Sequence, residues 1–253
     1  DVYEAASTPI VAFFSVVPKL AAMTIILRFV LQIAPLWDWA LTLGLIALGS
    51  ILVGNLTALW QQDAKRMLAF SSIAHAGFML LGIAAQSETG YEAFLFYGLI
   101  YGIMNFAAFT LIQFLEVEMG SSRMTDWNGL GKSNAFVGIL FLVVMISLAG
   151  LPPTAGFNAK LYLFSALWEN YLNTDSSLIL WLFIIGLMNT VISLFYYLKI
   201  PFFMFFKSES SIKLRKGSIG LQVLGTLLTI PLLLLFFRPD WFVDLMNTVN
   251  FIY

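Results

Sequence analysis

The chain has 253 residues, 60% of them hydrophobic and 11% charged, with 13 Lys and Arg against 14 Asp and Glu and a mean hydropathy of +0.89. That composition points to an integral membrane protein rather than a soluble domain, and a net charge of −1 leaves no basic surface for nucleic acid. Cysteine is absent, which excludes disulfides, thiolate metal sites and iron–sulfur clusters held by this chain, and a single histidine, His75, is a poor basis for haem or zinc, so redox chemistry belongs elsewhere.

The sequence opens on Asp1 with neither the basic region nor the cleavage site of a signal peptide, and reads as a piece of a longer polypeptide. Apolar runs long enough to cross roughly 30 Å of hydrocarbon fall at residues 9–33, 37–59, 67–85, 91–115, 135–166, 177–206 and 218–237. Seven spans follow. Irregular backbone cannot face lipid and no alternating strand pattern is present, so the expected fold is an all-α polytopic transmembrane bundle. Trp37, Trp39, Trp60, Trp168, Trp181 and Trp241 lie near run ends, as interfacial aromatics do.

Loop charges alternate. Lys65, Arg66, Arg123, Lys132, Lys207, Lys213, Arg215 and Lys216 share one side, while Asp38, Glu88, Glu92, Glu169 and Asp175 occupy the other, with Arg28 and Arg238 the only basic residues near it. The positive-inside rule makes the first side cytoplasmic, or matrix or stromal in an organelle, with the amino end inside and the carboxyl end outside. The tail from Arg238 to Tyr253 is too short for an eighth span and reads as an interfacial helix.

Within this frame a few residues violate the apolar rule. Lys19 lies about ten residues, roughly 15 Å, past Pro9, near the bilayer midplane. Either it marks a misjudged helix end or its ammonium faces the bundle interior, where burial disfavours the charged form and lets it release as well as accept a proton. Pro18 just before it loosens the local hydrogen bonding. Lys65 and Arg66 follow Asp63 and are either plain anchors or, for Lys65, a point of proton uptake. His75 lies in LAFSSIAHAGFMLLGIAA with Ser71 and Ser72 one turn earlier. It suits a relay, because imidazole passes a proton between its two nitrogens, but a satisfied helix–helix contact looks the same in sequence.

The stretch SLAGLPPTAGFNAKLYLF, residues 147–164, breaks its own span. Pro152 and Pro153 donate no backbone hydrogen bond, and Gly150 and Gly156 allow unusual backbone, so the helix splits and frees carbonyls that protein or water must satisfy. Lys160 follows one to two turns later, close enough to use that wet pocket. Asn105, Gln113, Asn189 and Ser193 read as packing or water-holding groups. No phosphate loop, Ser/His/Asp set or paired intramembrane carboxylate is visible.

Three long segments, DVYEAASTPIVAFFSVVPKLAA, GNLTALWQQDAKRMLAFSSIAHAGFMLLGIAA and SLAGLPPTAGFNAKLYLF, resemble the antiporter-like subunits of respiratory complex I, specifically the subunit N family with its chloroplast counterpart, subunit 2. The resemblance spans essentially the whole chain. It implies a fourteen-helix subunit of which residues 1–253 are helices eight to fourteen, the C-terminal half. It implies a proton-translocating subunit of NADH:quinone oxidoreductase that holds no cofactor itself, with NADH, flavin, iron–sulfur clusters and quinone in partner subunits. Its proton-channel lysines carry over onto Lys19 and Lys160, and Lys65 and His75 match its tenth-helix region. The family's acidic residue of the fifth helix and its partner lysine of the seventh lie upstream of DVYE. The implied partners are other complex I membrane subunits, the missing amino-terminal half and the lipid bilayer. A subunit of a Na⁺/H⁺ antiporter or membrane-bound hydrogenase, and a module whose lysines only pair with partner helices, are the other readings the residues allow.

Overall fold

A computed structural model describes residues 6–33, 37–207 and 218–242. The chain forms α1 (Thr8–Ile33), α2 (Trp39–Leu59), α3 (Ala64–Ala84), α4 (Glu88–Met119), α5 (Ala135–Ala149), α6 (Ala155–Thr174), α7 (Ser177–Phe206) and α8 (Ile219–Phe237), with a 3₁₀ turn at Met124–Trp127 and a four-residue helix at Leu130–Ser133 between α4 and α5. No strand occurs among the described residues. Six helices, α1 to α4, α7 and α8, are long and apolar enough to cross a membrane. The fifteen residues of α5 reach only about 22 Å at 1.5 Å per residue, so the remaining span needs α5 and α6 together. The seven expected spans are these six and the broken pair.

Helix ends sit where local chemistry satisfies the free backbone groups. Asp38, Asp63, Ser87 and Asn134 accept hydrogen bonds from first-turn amides of α2, α3, α4 and α5, and Gly120 ends α4 in the left-handed conformation that glycine adopts without a Cβ penalty. α1 runs unbroken through Pro18 and α7 through Pro201. The loosening expected at Pro18 leaves no interruption in the helix.

Alternate loops meet at the same end of the bundle. The amide of Ala64 donates to Ser122 O at 2.9 Å, that of Met124 to Gln62 O at 3.1 Å, and that of Gly129 to Phe203 O at 3.1 Å. Lys199 extends from α7 to the carbonyls of Leu59 and Gln61, closing the end of α2. At the opposite end Asn170 Nδ2 donates to Ala85 O at 2.6 Å. The end with Lys65, Arg66, Arg123, Lys132 and Lys207 is therefore the end that the loop charges grouped together. Lys213, Arg215, Lys216 and the tail beyond Phe242 lie outside the described residues.

α3 is the buried axis, with α1, α2 and α4 against it and α6 and α7 beyond. Its closest neighbour is α2, where small residues let the backbones approach as membrane helices do. A Cβ on Gly54 would stand 2.5 Å from the Ala74 amide nitrogen, and one on Gly77 would stand 2.7 Å from Ala47 O. Outward faces carry apolar residues such as Ile25, Met188, Phe195 and Leu227. Gly77→Val is thus expected to lower the thermal stability of the assembled protein in detergent by about 1–3 kcal/mol, the usual cost of overpacking, whereas Gly49→Ala, with nothing within 4 Å of its added Cβ, should leave it unchanged. Equal midpoints for the two would contradict this packing.

Candidate functional site

The break in the fifth span is an irregular connection from Gly150 to Thr154. Gly150 takes φ +85°, a backbone conformation that side chains disfavour, and its amide closes on Ile146 O and Ser147 O at 3.0 Å. Thr154 Oγ1 donates to Leu151 O at 2.6 Å. Ala149 O is the last carbonyl of α5, and Lys160 reaches back from α6 to donate to it at 2.7 Å. The carbonyl freed by the break and the lysine beyond it are direct partners. Lys160 is 5% exposed, and its ammonium also stands 5.0 Å from the centre of the Phe78 ring.

Gly150 serves a second need, since a Cβ there would stand 2.5 Å from Lys160 Cδ. Gly156 acts differently from the sequence expectation. It sits inside α6 and shows no positive φ; a Cβ on it would stand 1.8 Å from Ser147 O, so glycine there permits α6 to touch α5.

His75 lies on α3 at the centre of the bundle, 2% exposed. Its Nδ1 is 2.8 Å from Tyr97 Oη on α4 and its Nε2 is 2.8 Å from Tyr197 Oη on α7. A neutral imidazole donates from one nitrogen and accepts at the other, and a hydroxyl does either. Both tautomers are therefore satisfied, and a proton arriving from one tyrosine can leave toward the other. Tyr101 packs on the ring with centroids 5.1 Å apart, and Phe78 lies between His75 and Lys160, 6.5 Å from the imidazole. Tyr196 packs beside Tyr197 with ring centroids 4.4 Å apart. Tyr196 Oη in turn donates to Asn55 Oδ1 at 2.8 Å, and Asn55 Nδ2 donates to Asn189 Oδ1 at 3.2 Å.

On the other side of α3, the Lys19 ammonium donates to Ser72 Oγ, three residues before His75. Lys19 itself is half-buried. Lys19 meets α3 one turn before His75, and Lys160 and His75 both lie against Phe78. The structure thus brings Lys19, His75 and Lys160 into one polar band across α1, α3, α4, α7 and the broken span. Lys65 stands apart at the charged end, where it pairs with Glu116 at 3.4 Å and donates to Ala6 O at 3.2 Å. Its sequence neighbour Asp63 instead caps α3 and accepts from Ser122 Oγ.

Tyr97, Tyr101, Tyr196, Tyr197, Asn55 and Glu116 were not singled out in the sequence. The available signals were the i, i+4 spacing of Tyr97 and Tyr101, the tyrosine pair in an apolar run, and a carboxylate ahead of the helix-ending Gly120. Among the described residues no three His, Asp or Glu side chains gather as metal ligands.

Residues 1–193 match the family described as NADH:quinone oxidoreductase/Mrp antiporter, TM. The chain belongs to this family. NADH-quinone oxidoreductase subunit N of Chlorobium chlorochromatii is 43% identical over 217 residues, 82% of this chain and 41% of that protein. A chain of respiratory complex I from Thermus thermophilus with bound aureothin superposes with a TM-score of 0.65 at 31% identity, over 79% of this chain and 44% of that one. A chain of the membrane-bound sulfane sulfur reductase, an archaeal respiratory membrane complex, reaches a TM-score of 0.85 at 24% identity, over 97% and 49% respectively, a likeness of fold alone. The chain thus spans less than half the length of that Chlorobium protein and of that Thermus chain.

Because Gly150 combines a left-handed φ with the passage of the Lys160 stem, Gly150→Ala should destabilise by about 1–2 kcal/mol from backbone strain alone and also displace the ammonium from Ala149 O. The measurement is thermal stability of the assembled protein in detergent, and a wild-type midpoint would show that the break tolerates a side chain.

Proposed function

We propose that residues 1–253 are the C-terminal half, helices eight to fourteen, of a proton-translocating membrane subunit of NADH:quinone oxidoreductase. Protons move through Lys19, His75 and Lys160, with Lys65 at the side of uptake. Electron transfer takes place in other complex I subunits, which hold NADH, flavin, iron–sulfur clusters and quinone. The charged end carrying Lys65 faces the cytoplasm, or the matrix or stroma of an organelle, and the carboxyl end faces out, in line with the loop charges. The amino-terminal half carries the carboxylate and partner lysine that the family resemblance places upstream.

The observation that carries this reading is the Lys160 ammonium, buried and held by a carbonyl of the broken helix. A cation at the membrane interior costs about 2.5–3.5 kcal/mol even on the lenient insertion scale, and packing alone could be met by an apolar side chain. The second support is the Tyr97–His75–Tyr197 chain, which gives the proton a route at that depth. A hydroxyl and an imidazole each pick up one proton as they release another, so the chain resets only when its groups rotate or the tautomer reverts. A subunit of a Na⁺/H⁺ antiporter is the alternative that the family's breadth supports; relatives at 43% and 31% identity favour the NADH:quinone reading.

In the assembled complex in sealed vesicles, Lys160→Ala should abolish most proton pumping while electron transfer to a soluble acceptor continues. Lys160→Arg should fail too, since a guanidinium hardly deprotonates. Pumping at the wild-type rate in both variants would reject the role given to Lys160.

A further inference from the structure

The Lys65 cluster contains a carboxylate that the proton route above does not use. Glu116 lies near the end of α4, with its Oε1 3.4 Å from Lys65 Nζ and its Oε2 accepting from Thr8 Oγ1. Its side chain is 21% exposed, against 10% for Lys65, so the carboxylate is the member of the pair that meets water first. The Lys65 ammonium has a second acceptor in Ala6 O at 3.2 Å, and neutralising Glu116 would not strand it.

From this mouth, three helices present polar groups in the same order toward the membrane interior. α1 offers Thr8, Ser15 and Lys19; α3 offers Lys65, Ser72 and His75; α4 offers Glu116, Asn105, Tyr101 and Tyr97. Cross-links tie them at each level, with Tyr101 Oη donating to Ser15 O at 2.8 Å and Lys19 donating to Ser72 Oγ. Seven residues separate Lys65 from Ser72, about 10 Å along α3. Eleven residues, three turns, separate Glu116 from Asn105, which puts both on one face of α4. Asn105 is fully buried, its Nδ2 is used by Tyr101 O at 3.1 Å, and its Oδ1 has no partner. A buried amide oxygen left bare in an apolar interior costs about 1–3 kcal/mol, and such a site is where a buried water is held. This observation is independent of the ion pair.

We infer that Glu116 is the proton-loading carboxylate of this chain, at the water-facing mouth of a seam between α1, α3 and α4 that passes Asn105 and leads to Lys19. The inference rests on the proton-translocating reading above. In the step, a hydronium at the charged end gives its proton to Glu116 Oε1, leaving water and a neutral carboxylic acid while Lys65 keeps Ala6 O. The acid then gives that proton to water in the seam on its way to Lys19, and the restored carboxylate pairs again with Lys65. One proton enters and no bond other than O–H is made or broken. Because Thr8 holds the same carboxylate, loading also acts on the first turn of the helix that carries Lys19.

The bland role for Glu116 is to pin three helix ends, and the test separates the two. In the assembled complex in sealed vesicles, Glu116→Gln keeps the size and the hydrogen-bonding oxygen but cannot carry a transferable acid proton. Pumping should fall by roughly 100-fold, the low end of the effect of removing a positioned proton-transfer group, with electron transfer to a soluble acceptor intact. Glu116→Asp should restore most of the rate. Infrared difference spectra on turnover should contain a protonated-carboxyl band that vanishes in Glu116→Gln and moves in Glu116→Asp; a band that stays put in Glu116→Asp overturns the assignment even where the amide variant does not assemble. Ser122→Ala removes the tie from Ser122 to Asp63 at the same end and should pump normally; impairment equal to that of Glu116→Gln would mean pinning. If Lys160→Ala stops pumping while Glu116→Gln pumps as wild type, this inference falls and the proposed function stands. If both pump as wild type, both fall.

Discussion

The hydrogen bond from Lys160 to Ala149 O solves two problems that neither group could solve alone. A helix interrupted inside a membrane leaves carbonyls without intrahelical partners, and lipid offers none. A lysine at that depth has donors that equally need acceptors. The backbone break and the cation therefore stabilise one another, and each would be expensive without the other. Gly150 makes the arrangement possible by accepting a left-handed φ and by leaving space for the lysine stem, and Gly156 lets α6 lie against α5 closely enough for the reach. Gly150 ends the first helix and the Pro-Pro pair only keeps it from resuming; the glycines determine what the ending can hold.

Once the ammonium is fixed there, the aromatic residues around it acquire a function beyond filling space. Phe78 faces Lys160 with its ring and separates it from His75, while Tyr97 and Tyr197 hold the two imidazole nitrogens. Phe78, Tyr97, Tyr101 and Tyr197 are fully or almost fully buried, so this part of the band is closely packed. A proton crossing it depends on side-chain hydroxyls and an imidazole. Toward the Lys65 end the polar groups are spaced further apart along the helices, and the bare oxygen of Asn105 makes water the natural carrier. The two regions ask for different chemistry within one bundle.

The sequence reveals the spans and the break for a plain reason: hydropathy, proline and glycine act locally and leave local marks. Lys19 and Lys160 are conspicuous because a cation in an apolar run has few innocent explanations, whereas His75 reads equally well as a relay and as a helix–helix contact. The tyrosines are not conspicuous. With 9 Tyr and 24 Phe in the chain, another aromatic in a membrane helix carries no signal until a partner 122 residues away, as Tyr197 is from His75, meets it. Glu116 is hidden for the opposite reason, since a carboxylate near a helix end looks like an ordinary loop charge until Lys65 and Thr8 close on it. Gly156 was read for its conformational freedom because proline-glycine stretches usually need it, whereas the contact with Ser147 O that requires it is tertiary.

A histidine held between two tyrosine hydroxyls has no direction of its own. Exchange of donor and acceptor roles leaves the same three groups with the same bonds, so protons would cross it equally well either way. Any bias must come from the charged groups elsewhere in the band. These differ in kind: Lys19 sits on a continuous helix and bonds to a side chain, Ser72 Oγ, while Lys160 sits beside the irregular Gly150–Thr154 segment and bonds to its last helical carbonyl. Moving Lys19 off Ser72 needs only a rotamer change, whereas moving Lys160 off Ala149 O unmakes the partner of a freed backbone group and so couples to the geometry of the break. Of the two lysines, Lys160 is the one whose position the backbone can control, and under the proposed function the broken span is the part of this chain that would set the direction of transfer.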